Sequence, residues 1–454
     1  MGADKEIIVA LEFGTSAIQG IAGRKNPDGT VQILAIEQEC TADAIQRGVI
    51  YNIDKTTQAI KSIVERIDER LGIRIGRAYV GVGGQSLHSV SNVIPRDFEA
   101  KLKITPELID NLKDNNASVE YSDSQILDVI PQEYIIGNRS IADPIGVQTE
   151  RLEARFVNVV ARNTLLENIE KCMRQAGIDI VENFIAPLAL ADAMLTDSEK
   201  RSGCALVDFG AGTTTVTVYR GNLLRHLAVI PLGGQNINND MIAAHQLETD
   251  EAEALKRKYG VAYVSSESDK PQQLDISNDR KLSENELLNI IGARQEEIIK
   301  NVWNQIEPMK EHLLAGIVIT GGASQLKDMP EAIKHFTEFQ KVRAAKSLIT
   351  TADVANDVAT PQGNSVDTLI ALLMHGNSDC LEEVEETVED EVHEGEPTVA
   401  EQEPAQAAAE TVTETEKEEE PEEPAPAKPK KHLSENLHRL WRTFTKTFSE
   451  DDGE

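Results

Sequence analysis

Glu12 and Asp208 occupy matching settings. Each closes an apolar run and opens a Phe-Gly step that leads into small hydroxyl residues. The first stretch reads Ile7-Ile8-Val9-Ala10-Leu11-Glu12-Phe13-Gly14-Thr15-Ser16, and the second Ala205-Leu206-Val207-Asp208-Phe209-Gly210-Ala211-Gly212-Thr213-Thr214-Thr215. An apolar run ended by an acid and a glycine reads as a buried strand entering a tight hairpin. Glycine lets backbone approach a ligand, and successive N–H groups beside Ser/Thr hydroxyls form an anion-binding nest. Gly14, Thr15, Ser16, Gly210, Gly212, Thr213 and Thr214 are therefore candidate phosphate-binding residues. Glu12 and Asp208 could hold Mg²⁺ through its waters. Two such hairpins could grip a nucleotide's phosphates from both sides, as a duplicated ATP clamp.

A third element, Ile317-Val318-Ile319-Thr320-Gly321-Gly322-Ala323-Ser324, is a buried strand running into two glycines. Alone it reads as a plain strand-to-helix turn. Beside the two hairpins, Gly321, Gly322 and Ser324 suit the adenosine part of a nucleotide, because glycine lets backbone abut a flat base. Glu253 and Lys256 stand at i and i+3 of a helix and share a face, and spacing alone makes them a solvated ion pair. The chain has no G-x-x-x-x-G-K-[ST] loop and no G-x-G-x-x-G after its first strand, so a nucleotide needs this other architecture.

The positioning elements alternate between strand and helix. Strands are expected at 31–37 and 78–82, with a helix over 54–71 capped by Asp54. Residues 85–163 break the pattern and read as a small inserted α/β module, with a capped helix from Thr105 and strands at 125–136 and 153–161. Helices at 165–177 and 186–195 precede the second hairpin, which spans 207–219, and a strand at 223–232. Met241–Tyr259 reads as one helix, 264–283 as a polar loop, Glu284–Ile306 as a long helix and Asp367–His375 as the closing helix.

At 454 residues the chain has room for several domains. Its net charge of −32 argues against a nucleic-acid partner. Cys40, Cys172, Cys204 and Cys380 form no C-x-x-C pair, so reduced thiols are expected, with neither zinc nor disulfides. No apolar run reaches the length of a membrane span, no signal-peptide core is seen, and Glu6 stands where a myristoylation motif wants Ser or Thr.

Between Asp379 and Pro424 there are 20 acidic residues against Lys417 alone. Residues 377–431 cannot bury enough apolar surface to order, and read as a disordered acidic linker whose ends average about 40 Å apart. A tether or a site for a basic partner are both open readings. Residues 432–448 then place Leu433, Leu437, Leu440, Trp441, Phe444 and Phe448 on one helical face, with Arg439, Arg442 and Lys446 alongside. That pattern reads as an amphipathic helix lying on anionic membrane lipid, each basic residue adding about 1 kcal/mol. A partner-docking helix is the alternative.

These elements, in this order, resemble the actin/heat-shock-chaperone/sugar-kinase ATPase superfamily. Glu12–Ser16 is similar to its first phosphate motif, Asp208–Thr214 to its second, and Ile319–Ala323 to its adenosine motif. Glu253 and Lys256 stand where the chaperone ATPases place a Glu and a Lys against the adenosine. Within the superfamily the chain resembles the bacterial cell-division FtsA family. Val129-Ile130-Pro131-Gln132-Glu133-Tyr134 and Asp143-Pro144-Ile145-Gly146 look like markers of its inserted subdomain 1C.

The resemblance implies an α/β, actin-like two-lobed ATPase fold with ATP and Mg²⁺ as cofactors and Gly234 among the nucleotide contacts. Subdomain 1A would comprise 1–84, 164–202 and 351–376, with 1C at 85–163. Subdomain 2A would comprise 203–235 and 305–350, with 2B at 236–304. It implies a peripheral protein on the cytoplasmic face of the membrane at the division septum. Such a protein self-assembles into filaments, binds the FtsZ C-terminal peptide on 2B (Arg294 being the candidate contact), and meets later division proteins through 1C. Two departures stand out. The segment Phe184-Ile185-Ala186-Pro187 carries no side chain able to activate water, so hydrolysis is expected to be slow or to require assembly. The segment 359–368 also departs from the family's usual Tyr-rich, Gly-containing version, so the closing helix is expected to pack differently. A small-molecule kinase or a pilus-assembly ATPase of the same superfamily are the competing readings.

Overall fold

The computed structural model describes residues 6–27, 29–41, 44–264, 272–276, 280–356, 358–359 and 365–382. The linker from 383 and the amphipathic helix at 432–448 lie outside the described residues. Residues up to Glu382 form one compact unit.

The chain begins with β1 (Ile8–Phe13), β2 (Ala17–Lys25) and β3 (Val31–Cys40), then a short hairpin, β4 (Ile45–Gln46) and β5 (Val49–Ile50). Helix α1 (Ile53–Leu71) and β6 (Arg77–Val82) follow. The next stretch contributes β7 (His88–Lys103), α2 (Pro106–Ala117), β8 (Ser124–Ile136), β9 (Arg139–Ile141) and β10 (Gln148–Arg162). Then come α3 (Asn163–Ala176), β11 (Asp179–Ile185), α4 (Ala186–Met194) and α5 (Asp197–Ser202). The second half builds β12 (Cys204–Phe209), β13 (Thr214–Arg220), β14 (Leu223–Ile230), α6 (Gly234–His245) and α7 (Thr249–Tyr259). It continues with β15 (Gln273–Asp275), β16 (Lys281–Ser283), α8 (Glu284–Ile306), β17 (Gly316–Thr320), α9 (Met329–Thr337), β18 (Val342–Ala344), β19 (Asp353–Val354) and α10 (Asp367–His375).

Two sheets repeat one design. The first runs β11-β6-β1-β2-β3, and the second runs β18-β17-β12-β13-β14. In both, the first three strands are mutually parallel and the last three antiparallel. Each sheet is extended at the same edge, the first by β19 on β3 and the second by β7 on β14. The duplication read from two hairpins is thus a duplication of whole lobes. The fold is the actin-like two-lobed α/β architecture with an inserted module.

Strand alternation divides the core. Cys204 and Leu206 of β12 and Val318 of β17 join the first lobe's apolar cluster. Their neighbours Ala205, Val207, Phe209, Ile317 and Ile319 join a second cluster under α6 and α8. A period of two sends successive side chains to opposite faces, so the second sheet is buried on both. The inserted module has its own small core around Leu112, Leu152 and Phe156.

Several local expectations need correction. Asn52, not Asp54, caps α1, its side chain accepting from the Lys55 N–H at 3.0 Å. Met241–Tyr259 is two helices, parted where Gln246 turns left-handed at φ 52°. The polar loop before α8 contains the β15–β16 hairpin. The inserted module holds a 16-residue strand, β7, where none was expected.

Candidate functional site

Both hairpins close identically. Gly14 N–H donates to the Ala17 carbonyl at 3.0 Å, and Gly210 N–H to the Thr213 carbonyl at 2.9 Å. The two tips meet: a side chain added at Gly212 would strike Thr15 Oγ1 at 2.5 Å. Gly212 is therefore brought against Thr15 of the opposite lobe, with Ser16 exposed beside it, while Gly210 lies against Thr213 of its own hairpin. Thr15 Oγ1 accepts from Gly48 N–H at 3.1 Å, which fixes that tip. Thr213 lies at the second tip, but Thr214 is buried and donates to the Leu232 carbonyl at 2.8 Å. Thr214 thereby ties the tip to the end of β14.

The third element joins them. Gly321 has φ +88°, and a Cβ there would lie 2.2 Å from Asp208 Oδ1. Only glycine suits both that backbone and that approach. The turn after β17 thus passes directly over Asp208, and Ser324 caps it by donating to the Gly321 carbonyl at 2.7 Å. On the next wall, Gly234 N–H donates to the Gly210 carbonyl at 3.0 Å and Gln235 N–H to Ala211 at 2.7 Å. The start of α6 is thereby seated on the second phosphate-type loop.

Glu253 and Lys256 are an ion pair at 2.5 Å, and Lys256 also donates to the Gly234 carbonyl at 3.1 Å. The pair is thereby tied to the start of α6, and Lys256 is buried rather than solvated. Burial pushes Glu253 up, yet hydrogen bonds from Lys256, Asn238 and Arg257 outweigh it and bring the carboxyl down to about 2. Burial lowers the Lys256 ammonium from its ordinary value despite the same partner.

Glu12 and Asp208 face the opposite problem. Burial, then repulsion from Asp208, pushes Glu12 up to about 8 against a hydrogen bond from Thr368. Burial and Asp367 push Asp208 up to about 6. Asp367 is itself buried, and its Oδ1 accepts from Ser347 and the Leu348 N–H at 2.7 and 2.8 Å. Its Oδ2 is buried without a hydrogen-bond partner. Asp367 and Thr368, at the start of α10, are site residues that sequence reading passed over as ordinary helix starters.

A floor of mutually repelling carboxyls fits a divalent cation, whose charge would return them to the ionised form. Among the described residues, no three acidic, His or Cys side chains converge to ligate a metal directly. The two carboxyls fit Mg²⁺ held through its waters.

At the end of β11, Phe184 stacks on Tyr79 with centroids 5.2 Å apart, and α4 starts directly at Ala186. No acid or base projects from that segment. The closing helix α10 packs fully into the first lobe, with Leu369 through Leu373 buried. Residues 360–364 of the unusual segment before it lie outside the described residues. Arg294, on α8, makes a bidentate pair with Asp240 of α6 at 2.6 and 2.9 Å and also reaches Glu297. Among the described residues no helix is long and apolar enough to cross a membrane.

Comparison with known proteins places this geometry. A family model described as cell division protein FtsA matches residues 205–366, and one described as the SHS2 domain inserted in FTSA matches 84–160. A model of type IV pilus assembly protein PilM matches 140–266. The chain is 30% identical to the cell division protein FtsA of Pseudomonas aeruginosa over 344 residues, covering 73% of this chain and 81% of the relative. It is 32% identical to that of Neisseria meningitidis, covering 73% and 82%. It is also 32% identical to that of Bacillus subtilis, covering 71% and 75%. Among solved structures, a PilM–PilN type IV pilus biogenesis complex superposes with a TM-score of 0.58 at 15% identity, covering 81% of this chain and 97% of that one. That likeness shows the shared fold, whereas the full-length relatives decide the family: the chain belongs to the FtsA family of cell division proteins.

Proposed function

We propose that this chain is an ATP-binding, actin-like division protein that self-assembles and ties the FtsZ ring to the inner face of the cytoplasmic membrane. The observation that carries the nucleotide part is the meeting of two hairpin tips closed by the same bond, Thr15 on Gly212, beside the Glu12–Asp208–Asp367 carboxyls. In this reading the tip N–H groups and hydroxyls hold the phosphates. Glu12 and Asp208 hold Mg²⁺ through water, and Gly234, Glu253, Lys256, Gly321, Gly322 and Ser324 surround the adenosine. When bound, Mg²⁺ neutralises the phosphates and the carboxyl floor together. The segment Phe184–Pro187 itself carries no base, so ATP serves as a brace between lobes and turns over slowly. The brace sets the angle at which subunits stack into filaments.

The membrane part rests on sequence. Leu433, Leu437, Leu440, Trp441, Phe444 and Phe448 form one face, with Arg439, Arg442 and Lys446 beside it. The acidic linker before it gives the anchor reach. The inserted module would meet later division proteins. For the FtsZ C-terminal peptide, α8 and α6 form the proposed surface. Arg294 would engage an acidic peptide only by exchanging its Asp240 partner.

Co-sedimentation with anionic liposomes tests the anchor, using the full chain and a chain ended at Lys431. The full chain is expected in the pellet and the truncated one in the supernatant. A Trp441→Glu, Phe444→Glu double variant should behave like the truncation, and equal pelleting by all three overturns the anchor. Titration with Mg²⁺–ATP tests the clamp separately. Rapid turnover stimulated by a small hydroxylated compound would instead favour a kinase.

A further inference from the structure

Asn238 lies on α6, one turn beyond Gly234, and only 2% of it is exposed. Its Nδ2 donates to Glu253 Oε2 at 2.8 Å. The amide must face this way, since its oxygen would repel the carboxylate. Its Oδ1 is buried with no hydrogen-bond partner. Glu253 thus receives Lys256 and Asn238 on Oε2 and Arg257, at 2.7 Å, on Oε1. A carboxylate offers about four lone-pair directions. Three are taken, and the one left lies on Oε1.

We propose that Asn238 is a positioning residue for nucleoside recognition. It locks Glu253 so that a single open acceptor site takes one ribose hydroxyl, which makes the pocket selective for ribonucleotides. The proposal rests on the nucleotide reading above and adds what sets its sugar preference. Lys256 cannot do this alone. Its ammonium is divided between Glu253 and the Gly234 carbonyl, and it lies on the same helix as Glu253. Asn238 alone holds the carboxylate from α6, the helix seated on the phosphate-type loop at Gly210. The carboxylate is thereby referenced to the phosphates as well as to its own helix. With Asn238 gone, Glu253 keeps two cationic donors and stays ionised, but it can turn away on its side-chain torsions.

The test is equilibrium titration of the full chain with Mg²⁺ complexes of ATP, 2′-deoxy-ATP and 3′-deoxy-ATP. One deoxy analogue should bind about tenfold or more weakly than ATP, the scale of one charge-assisted hydrogen bond. The other should bind nearly as well as ATP. In Asn238→Ala the discriminating ratio should fall to within about threefold of unity, while the triphosphate still binds. Asn238→Leu, of similar size but without the donor, should do the same and serves if the alanine variant fails to fold. A thermal melt of each variant separates lost structure from lost selectivity. Retention of the full ratio in either folded variant overturns the proposal, as does equal binding of all three nucleotides by the unaltered chain. Failure of the unaltered chain to bind any of them overturns the nucleotide reading and the proposal with it.

Discussion

Glu12 illustrates how much a single position can report. Its carboxyl titrates near 8 in the fold against an ordinary 4.5. Between those values the native chain holds a proton that the unfolded chain has released, so stability falls as pH rises through that window. Asp208, raised to about 6, acts in the same direction at lower pH. Without nucleotide, the melting temperature is expected to drop between pH 5 and pH 8. One proton contributes at most about 1.4 kcal/mol per pH unit. Glu12→Gln removes much of that slope, and Mg²⁺–ATP should flatten it by supplying positive charge. Calorimetric melts across the range check this, and a pH-independent melting temperature for the free chain contradicts it. The same position shows what sequence can reveal. Glu12 and Asp208 were legible because an apolar run, an acid and a glycine form a local pattern. Asp367 and Asn238 were not. Each gains its meaning from a neighbour distant in the chain, and Asp-Thr at a helix start looks like ordinary capping.

At the scale of elements, hydrophobic periodicity identified β1, β12, β17, α8 and α10, whose buried faces follow simple repeats. It missed β7, whose sequence from His88 to Lys103 alternates poorly, contains Pro95 and is largely exposed. It also merged α6 with α7, because the break at Gln246 carries neither Gly nor Pro. The Val129–Tyr134 stretch shows a role that only tertiary structure discloses. Along the β8–β10 ladder, Arg155 pairs with Glu133 and Phe156 with Pro131, which leaves Gln132 as an unpaired bulge. Bulges re-aim side chains, and proline tolerates the missing ladder bond there. Gln132 accordingly reaches β14, donating to the Leu224 carbonyl at 3.0 Å and accepting from Arg225 at 2.8 Å. Gln132→Ala should cost about 1–3 kcal/mol through the two lost bonds to β14, one of them charged. Faster amide exchange should appear in β8 and β14 while β1 and β2 keep theirs. Unchanged protection in β8 would show that the staple is dispensable.

Across the whole molecule, chain order and spatial order diverge. The first lobe begins at β1 yet is completed by α10, whose Leu369 through Leu373 lie in its core. Beyond α10 the chain stitches itself back to its start. Cys380 N–H donates to the Ile7 carbonyl at 2.9 Å, Ile7 N–H donates to Asp379 at 3.0 Å, and Glu382 N–H reaches Arg74 at 2.9 Å. A chain ended at residue 366 should therefore expose apolar surface and aggregate, although it retains every candidate phosphate contact. A chain ended at residue 382 should melt cooperatively. Light scattering and thermal denaturation of the two distinguish them, and a soluble, cooperatively melting 366-residue chain would disprove the dependence.

That stitching has a consequence for birth as well as for stability. During synthesis, β1 through β6 emerge early with their partner helix still unmade. The first lobe must wait through the inserted module and the entire second lobe before it can seal. Such distant pairings slow folding and prolong exposure of sticky strands. The second lobe, contiguous from β12 to β18, can mature first and offer a template. Because α10 precedes the acidic tail, a ribosome still translating that tail already holds a chain able to close. The body can thus be finished before the last residues, those proposed to seek the membrane, are released.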